Sequence, residues 1–395
     1  MPRRNYNTVT LTDRITFILG FVTLVPVTAI SRTVRRLWRS SDYGIKDDIF
    51  LALVRRLRLV PLSIRRKLGF SISALTIRES PRFSNASPEI CKKTSHPSFE
   101  GYWICRGHVH KSQKRVSESD VTLLWLHGGA YVSGSALAAS VSLLRIAEVV
   151  TEQGVSINIF SLEYSLAPEA KFQIQLDEVT AAYRFLVEEK QIDPTRIMVF
   201  GESAGGHLAL SLAYNLQQQG MPRPGKLALI SPWVNLANSG ASFATNEDKD
   251  SLDKRDLDQC VDRLLGGSDG MLKFADYVNF AAPLSTPRAS AGECKGVRWS
   301  QVLPPTWVTV GGNDVFLLDV SDFVNNAKGD GVHVDLRVEH GKPHGWFGYR
   351  DALRVKDYLG LLPTEEAGFM LKSSEELARV VLDYVRGYQH NPFLH

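Results

Sequence analysis

The sequence predicts an α/β protein with a mostly parallel central sheet and helices on both faces. Apolar strand-like runs alternate with helical stretches from Val121 onward, the order a parallel sheet requires because each crossover carries a helix. A serine stands between glycines in Gly201-Glu202-Ser203-Ala204-Gly205, after the apolar run Ile197 to Phe200 and before a helix-like stretch through Tyr214. His127-Gly128-Gly129-Ala130 follows an earlier strand, and an Asp and a His lie downstream in the order Ser, Asp, His.

The N-terminus differs from the rest of the chain. Met1 to Ser71 carries fourteen of the 46 Lys/Arg but four of the 42 Asp/Glu, so the remaining chain is net negative although the whole is +4. Ile15 to Ile30 is an apolar run between Arg14 and the cluster Arg32, Arg35, Arg36 and Arg39. Its sixteen residues reach about 24 Å as a helix, short of a hydrocarbon core of about 30 Å. A retained anchor or interfacial segment, with membrane contact through residues 15–39, is the expectation. A cleaved signal and a buried core helix are the other readings, and Val27-Thr28-Ala29 offers a weak cleavage site. The basic cluster after the run would place the body of the chain on the cytosolic side, while the basic residues Arg3, Arg4 and Arg14 on the other flank favour the reverse, so both orientations stay open. The expected location is a membrane, that of the endoplasmic reticulum.

Residues Asp47 to Ser71 read as a basic amphipathic helix with the apolar stripe Ile49, Phe50, Leu53, Leu57 and Val60. Expected strands follow at Val121 to Leu126, Ser156 to Leu162, Arg196 to Phe200, Leu227 to Ile230, Trp307 to Val310 and Val332 to Val338, with a helix over Asp177 to Glu189. Ser373-x-x-Glu376 predicts a capping box on a last helix that docks Leu377, Val380, Val381, Tyr384 and Val385 on the core. Between Trp233 and Gln301 a polar insertion, including Asp248 to Arg263, interrupts the pattern. The division expected is a membrane-associated segment (1–40), a cap with N-terminal strands (41–118) and a catalytic domain (119–395) with a cap insertion near 236–300. Cys91, Cys105, Cys260 and Cys294 lack Cys-x-x-Cys spacing, and no Walker, dinucleotide or nucleic-acid pattern is present. No cofactor, metal or nucleic-acid partner is expected.

Acyl transfer to a serine needs a base for its proton, a carboxylate to orient that base, and donors for the oxyanion. Ser203 is the nucleophile in this reading. His344, in Pro343-His344-Gly345, is the base, with His340 its competitor. Asp314, after Val308-Thr309-Val310-Gly311-Gly312-Asn313, is the carboxylate, with Asp319 the runner-up. The backbone N–H groups of the His127-Gly128-Gly129-Ala130 segment and of Ala204 would hold the oxyanion. His127 is expected to brace its loop, His207 to pack within its helix, and His108 and His110 to be structural.

With these residues the chain resembles the hormone-sensitive-lipase-like branch of the alpha/beta hydrolases, the fold-3 group, from about Leu123 to Phe347. The resemblance rests on His127-Gly128-Gly129, Tyr164-Ser165-Leu166-Ala167-Pro168-Glu169, Gly201-Glu202-Ser203-Ala204-Gly205, Leu303-Pro304-Pro305 and His344-Gly345. It implies an alpha/beta hydrolase fold with a helical cap, the triad Ser203, Asp314 and His344, and oxyanion donors Gly129, Ala130 and Ala204 beside Gly128. Ala130 stands where a third glycine is usual, and Ser165 where arginine is common. The apolar N-terminus also looks like that of fungal membrane-anchored steryl acetyl hydrolases and secondary-metabolite esterases. The implied activity is hydrolysis of short acyl esters of a hydrophobic alcohol; the alternatives are acyl transfer, amide or formamide hydrolysis, and a non-catalytic receptor.

Overall fold

The computed structural model describes residues 8–35, 38, 43–56, 59–67, 77, 79–83, 90–104, 116–284 and 297–389. Eight strands form one sheet: β1 (Cys91–His96), β2 (Phe99–Ile104), β3 (Val121–Leu126), β4 (Ile157–Glu163), β5 (Ile197–Glu202), β6 (Lys226–Ile230), β7 (Thr306–Gly311) and β8 (Val334–Glu339). Their order is β1-β2-β4-β3-β5-β6-β7-β8. β1 and β2 are antiparallel to each other and β2 to β4, while β4 through β8 are parallel. The strands after Val121 fall within two residues of the expected bounds. The N-terminal strands expected within 41–118 are the β1–β2 hairpin, whose bounds were not legible because β1 reads Cys-Lys-Lys-Thr-Ser-His and lies half in solvent as an edge strand.

The parallel strands are continuous apolar runs because helices cover both faces. Every residue of β3 and β7 is buried. The principal helices are α1 (Leu11–Arg35), α2 (Ile45–Arg56), α3 (Ser140–Glu152), α4 (Phe172–Arg184), α5 (Ala204–Gln218), α6 (Lys254–Leu265), α7 (Leu317–Gly329) and α8 (Lys372–Gln389). α4, α5 and α7 pack on one face through Leu176, Leu208, Leu212 and Phe323. α3 and α8 cover the other through Leu143, Leu144, Leu377 and Val381. The proposed capping box on α8 does not form. Ser373 sits inside the first turn, and its orphan N–H and that of Ser374 are instead satisfied by the two oxygens of Asp351, at 2.8 and 2.9 Å. Glu376 pairs with Arg350 and Arg337.

Chain order leaves β3 toward β4 on one side and β5 on the other, so the crevice where ligands bind in such sheets opens between the carboxyl ends of β3 and β5. The cap over that crevice is built from two remote segments. The expected helix after Asp47 is shorter, ending at Arg56 ahead of Pro61, and a second helix covers 62–67. The buried face of α2 is Asp48, Leu51 and Ala52, displaced from the expected stripe; Leu57 and the side chain of Phe50 lie outside the described residues. Arg55 donates to the carbonyls of Glu247 and Asp248, and Tyr43 to that of Lys249, which fastens the N-terminal segment to the insertion.

Candidate active site

β5 delivers Ser203 into a turn with φ 53° and ψ −115°, a strained conformation for a residue with a side chain. The flanking glycines are what allow it. A Cβ at Gly201 would stand 2.3 Å from the Gly205 carbonyl oxygen, and one at Gly205 would stand 2.1 Å from that of Leu126. The turn is held by bonds from Ser203 N to Ile230 O at 2.9 Å and from Trp233 N to Ser203 O at 3.0 Å.

Ser203 Oγ lies 3.0 Å from His344 Nε2, and His344 Nδ1 lies 3.0 Å from Asp314 Oδ2. Because a carboxylate only accepts, Nδ1 carries the proton and Nε2 is left to accept from the serine hydroxyl. Asp314 follows β7, is fully buried, and accepts Phe316 N on its other oxygen at 2.9 Å. Burial acts to lower the His344 pKa, but Asp314, Asp250 and Glu202 outweigh it and hold the imidazole above its ordinary value. The rivals stand elsewhere: His340 is exposed, and Asp319 is buried at the start of α7 against Asn235 at 3.1 Å.

The loop after β3 turns through positive φ at Gly129 (118°), Ala130 (53°) and Tyr131 (62°). Among the described residues, no protein acceptor takes the backbone N–H of Gly129, Ala130 or Ala204. Gly128 backs on to the nucleophile, since a Cβ there would meet Ser203 Cβ at 3.4 Å. His127 braces the loop as anticipated. It donates from Nδ1 to Gly128 O, stacks on Tyr164 with centroids 4.0 Å apart, and its carbonyl accepts the Tyr164 hydroxyl at 2.7 Å. Burial lowers its pKa to about 4, so the ring is neutral. His207 is also neutral by burial and does more than pack: its Nδ1 accepts from Tyr131 Oη at 2.7 Å and its Nε2 donates to Tyr277 O at 2.8 Å, tying the loop to the cap. Ser165 reaches Glu178 at 2.7 and 2.5 Å, which compensates for the missing arginine. Arg66 donates to Val132 O and Ala167 O and pairs with Glu169 at 2.9 Å, so the cap also clamps this loop. His108 and His110 lie outside the described residues.

Two carboxylates at the site escaped the sequence reading. Asp250 is buried in the insertion; its Oδ1 accepts Ser251 N at 2.5 Å and His344 N at 2.8 Å, and its Oδ2 accepts Val315 N at 2.6 Å. It thus fastens the loops of both His344 and Asp314 to the cap. Burial and the neighbouring Asp314 push its pKa up to about 7, against the pull of His344 and the N–H donors. Nothing in the Asp- and Lys-rich insertion singles out this aspartate from Asp248 or Asp253. Glu202, half-buried beside the nucleophile, has its pKa raised by burial, and its side chain enters the cavity. A charge at the second position of the glycine-serine pentapeptide was the available signal.

The cavity holds 720 Å³, inside the range of about 300–1,000 Å³ for drug-sized ligands. Arg65, Leu252, Leu257 and Cys260 line it from the cap, Ser203 and His344 from the serine turn and the loop after β8, and Trp125, Val141, Val355 and Leu377 from the sheet and the helices of the body. The walls are mainly apolar, and Gly128, Gly129, Ala130, Ser203 and His344 line them together.

Residues 123–348 match the alpha/beta hydrolase fold family. An acetyl-hydrolase of Streptomyces hygroscopicus is 30% identical over 270 residues, which cover 68% of this chain and 81% of that protein. An esterase of Acinetobacter venetianus is 27% identical over 60% of this chain and 70% of its own. Among solved structures, a hormone-sensitive lipase from a metagenome library superposes with a TM-score of 0.63 at 23% identity, covering 88% of this chain and all of that one. By its sheet order, its serine turn and this match over more than half of its length, the chain belongs to the alpha/beta hydrolase fold family.

Proposed function

We propose that the protein is a serine carboxylic-ester hydrolase that removes a short acyl group, acetyl in the simplest case, from a hydrophobic alcohol such as a sterol or secondary metabolite presented at a membrane. Ser203 is the nucleophile, His344 the base and Asp314 its orienting carboxylate. The Ser203 hydroxyl gives its proton to His344 Nε2 as Oγ attacks the ester carbonyl. The oxyanion is taken by the N–H groups of Gly129, Ala130 and Ala204 beside Gly128, and His344 returns the proton to the departing alcohol. Water then attacks the acyl-enzyme, with His344 again accepting and returning the proton.

The observation that carries this reading is the bonded series from Asp314 through His344 to Ser203, at 3.0 Å in each step, with the N–H groups of Gly129, Ala130 and Ala204 left without a protein acceptor among the described residues. The methyl of Ala130 narrows the space next to the acyl group and favours short acids. Esterases and acetyl-hydrolases among the relatives support the same reaction class. The apolar helix α1, long and apolar enough to cross a membrane, supports presentation of the substrate by lipid.

The test is hydrolysis of p-nitrophenyl esters from acetate to palmitate by the detergent-solubilised full chain, alongside Ser203→Ala. Short esters should turn over fastest, and the variant should lose activity by at least about a thousandfold with an unchanged Tm. Turnover by Ser203→Ala close to wild type would exclude the mechanism.

A further inference from the structure

α1 has its polarity inside out. A helix on a soluble protein turns its apolar stripe inward and its polar face to water. Here the two buried residues among the described side chains are both polar, Asp13 and Thr28, 3% and 0% exposed, while Phe17, Gly20, Val25, Ala29 and Arg32 are partly buried around and beyond them. The opposite face carries Ile15, Ile18, Leu19 and Val22, 50–64% exposed and recurring at intervals of three and four.

The body grips this helix near both ends. Ser63 Oγ donates to Asp13 Oδ2 at 2.9 Å, and Arg32 pairs with Asp48 at 3.5 Å. Residues 13 and 32 are nineteen positions apart, about 28 Å along a helix, which is nearly the depth of a hydrocarbon core of about 30 Å. A helix crossing the bilayer would carry Ser63 or Asp48, both part of the catalytic body, to the opposite surface. These contacts and a spanning orientation exclude each other.

We propose that α1 is an in-plane membrane helix, lying along an anionic bilayer surface with its apolar face in the lipid and its polar stripe on the cap. The proposal rests on the membrane association inferred above and fixes its geometry. Arg14 and Arg35, both exposed, suit anionic headgroups, and Trp38, 83% exposed, suits the headgroup level. The helix that receives Asp13, residues 62–67, also carries Arg65 at the cap end of the cavity. Lipid contact therefore sets the cap end of the cavity close to the bilayer, where a hydrophobic ester is concentrated.

Flotation with phosphatidylcholine vesicles, with and without phosphatidylserine, tests the occupant. The full chain floats, more so with phosphatidylserine, and Ile18→Asp with Val22→Asp floats at least about tenfold less, since two apolar side chains that would enter lipid are replaced by charges. Turnover of p-nitrophenyl acetate by that variant stays at wild type, which separates this test from the esterase reading. Orientation is read with Thr12→Cys and Ser31→Cys, both at exposed positions off the centre of the apolar face, made singly in a chain whose four cysteines are serine, after synthesis in the presence of sealed microsomes. A membrane-impermeant maleimide added outside labels both positions if α1 lies in plane. Protection of one position until detergent is added makes α1 a spanning helix and overturns the proposal. Absence of flotation, with a dimer lost in the double aspartate variant, assigns the face to a second copy and overturns it as well.

Discussion

Replacing Asp250 with asparagine separates fastening of the triad loops from the triad itself. Both carboxylate oxygens accept backbone N–H groups, two on Oδ1 and one on Oδ2. An amide has one accepting oxygen, so in its better orientation the NH₂ group faces Val315 N–H, donor against donor. One charge-assisted bond worth about 1.5–3 kcal/mol is lost and two others lose their charge, for a total of about 2–4 kcal/mol. For a chain of 395 residues that is a Tm drop of roughly 2–5 °C. Val315 adjoins Asp314, and His344 N is itself a ligand of Asp250, so both loops relax away from the 3.0 Å contacts they now make. A misplacement of about 1 Å can cost about a hundredfold in rate. Turnover should fall about ten- to a hundredfold, with KM nearly unchanged because Asp250 does not line the cavity. Its negative charge raises the His344 pKa, so its removal moves the acid limb of kcat/KM to lower pH. Steady-state kinetics from pH 5 to 9 on protein shown to be folded by its thermal transition reads all three effects. Loss of kcat only in proportion to unfolded protein, with an unmoved acid limb, would refute the reasoning.

The wild-type acid limb itself should lie above pH 6.5, because protonated His344 cannot accept from Ser203 and its pKa is raised; a midpoint at or below 6.5 in kcat/KM contradicts the electrostatics described. Gly205→Ala should yield little folded protein, since its Cβ would meet two carbonyl oxygens at 2.1 and 2.6 Å, whereas Gly154→Ala, at φ 78° in open space, should cost only about 1–2 kcal/mol in denaturant titration. Between pH 6.5 and 4, His127 and His207 stay neutral while the unfolded chain takes up protons, so each withdraws about 3 kcal/mol as pH falls, whereas Asp250 and Glu163, held up to about 7 by burial, act in the opposite sense. His207→Gln should therefore lose less Tm than the wild type over that window, and a Tm difference between the two that does not change with pH would show that the ring is accessible.

What was legible in the sequence follows from the range of the forces involved. The serine turn, the β3 loop and the strand bounds are set within a few residues, by steric demands on Gly201 and Gly205 and by apolar runs that can only be buried. Asp314 and His344 were readable because each leaves the carboxyl end of a parallel strand. The capping box failed because Asp351, from a different segment, competes for the same orphan N–H groups and wins. Asp250 was hidden for a related reason: its partners are 65 and 94 positions away, and a buried aspartate in a polar stretch resembles a solvated one. The α2 stripe was displaced because Asp48 takes a buried place to meet Arg32, an ion pair that outranks the local apolar pattern.

These long-range contacts form one series. Arg32 of α1 meets Asp48 of α2; Arg55 at the end of α2 holds the carbonyls of Glu247 and Asp248; Tyr43 joins Lys249 O to Asn313, the neighbour of Asp314; and Asp250 closes on His344 and Val315. The cap is therefore not a lid hinged independently of the chemistry, since the same short stretch of insertion binds the N-terminal segment on one side and both triad loops on the other. Movement of the cap at residues 246–250 would break hydrogen bonds that hold His344 and Asp314 in place, whereas at Leu252 to Cys260 the cavity wall is Leu252, Asp256, Leu257 and Cys260, none of which is bonded to the His344 or Asp314 loops, so cap movement that leaves those loops in place is confined to that side.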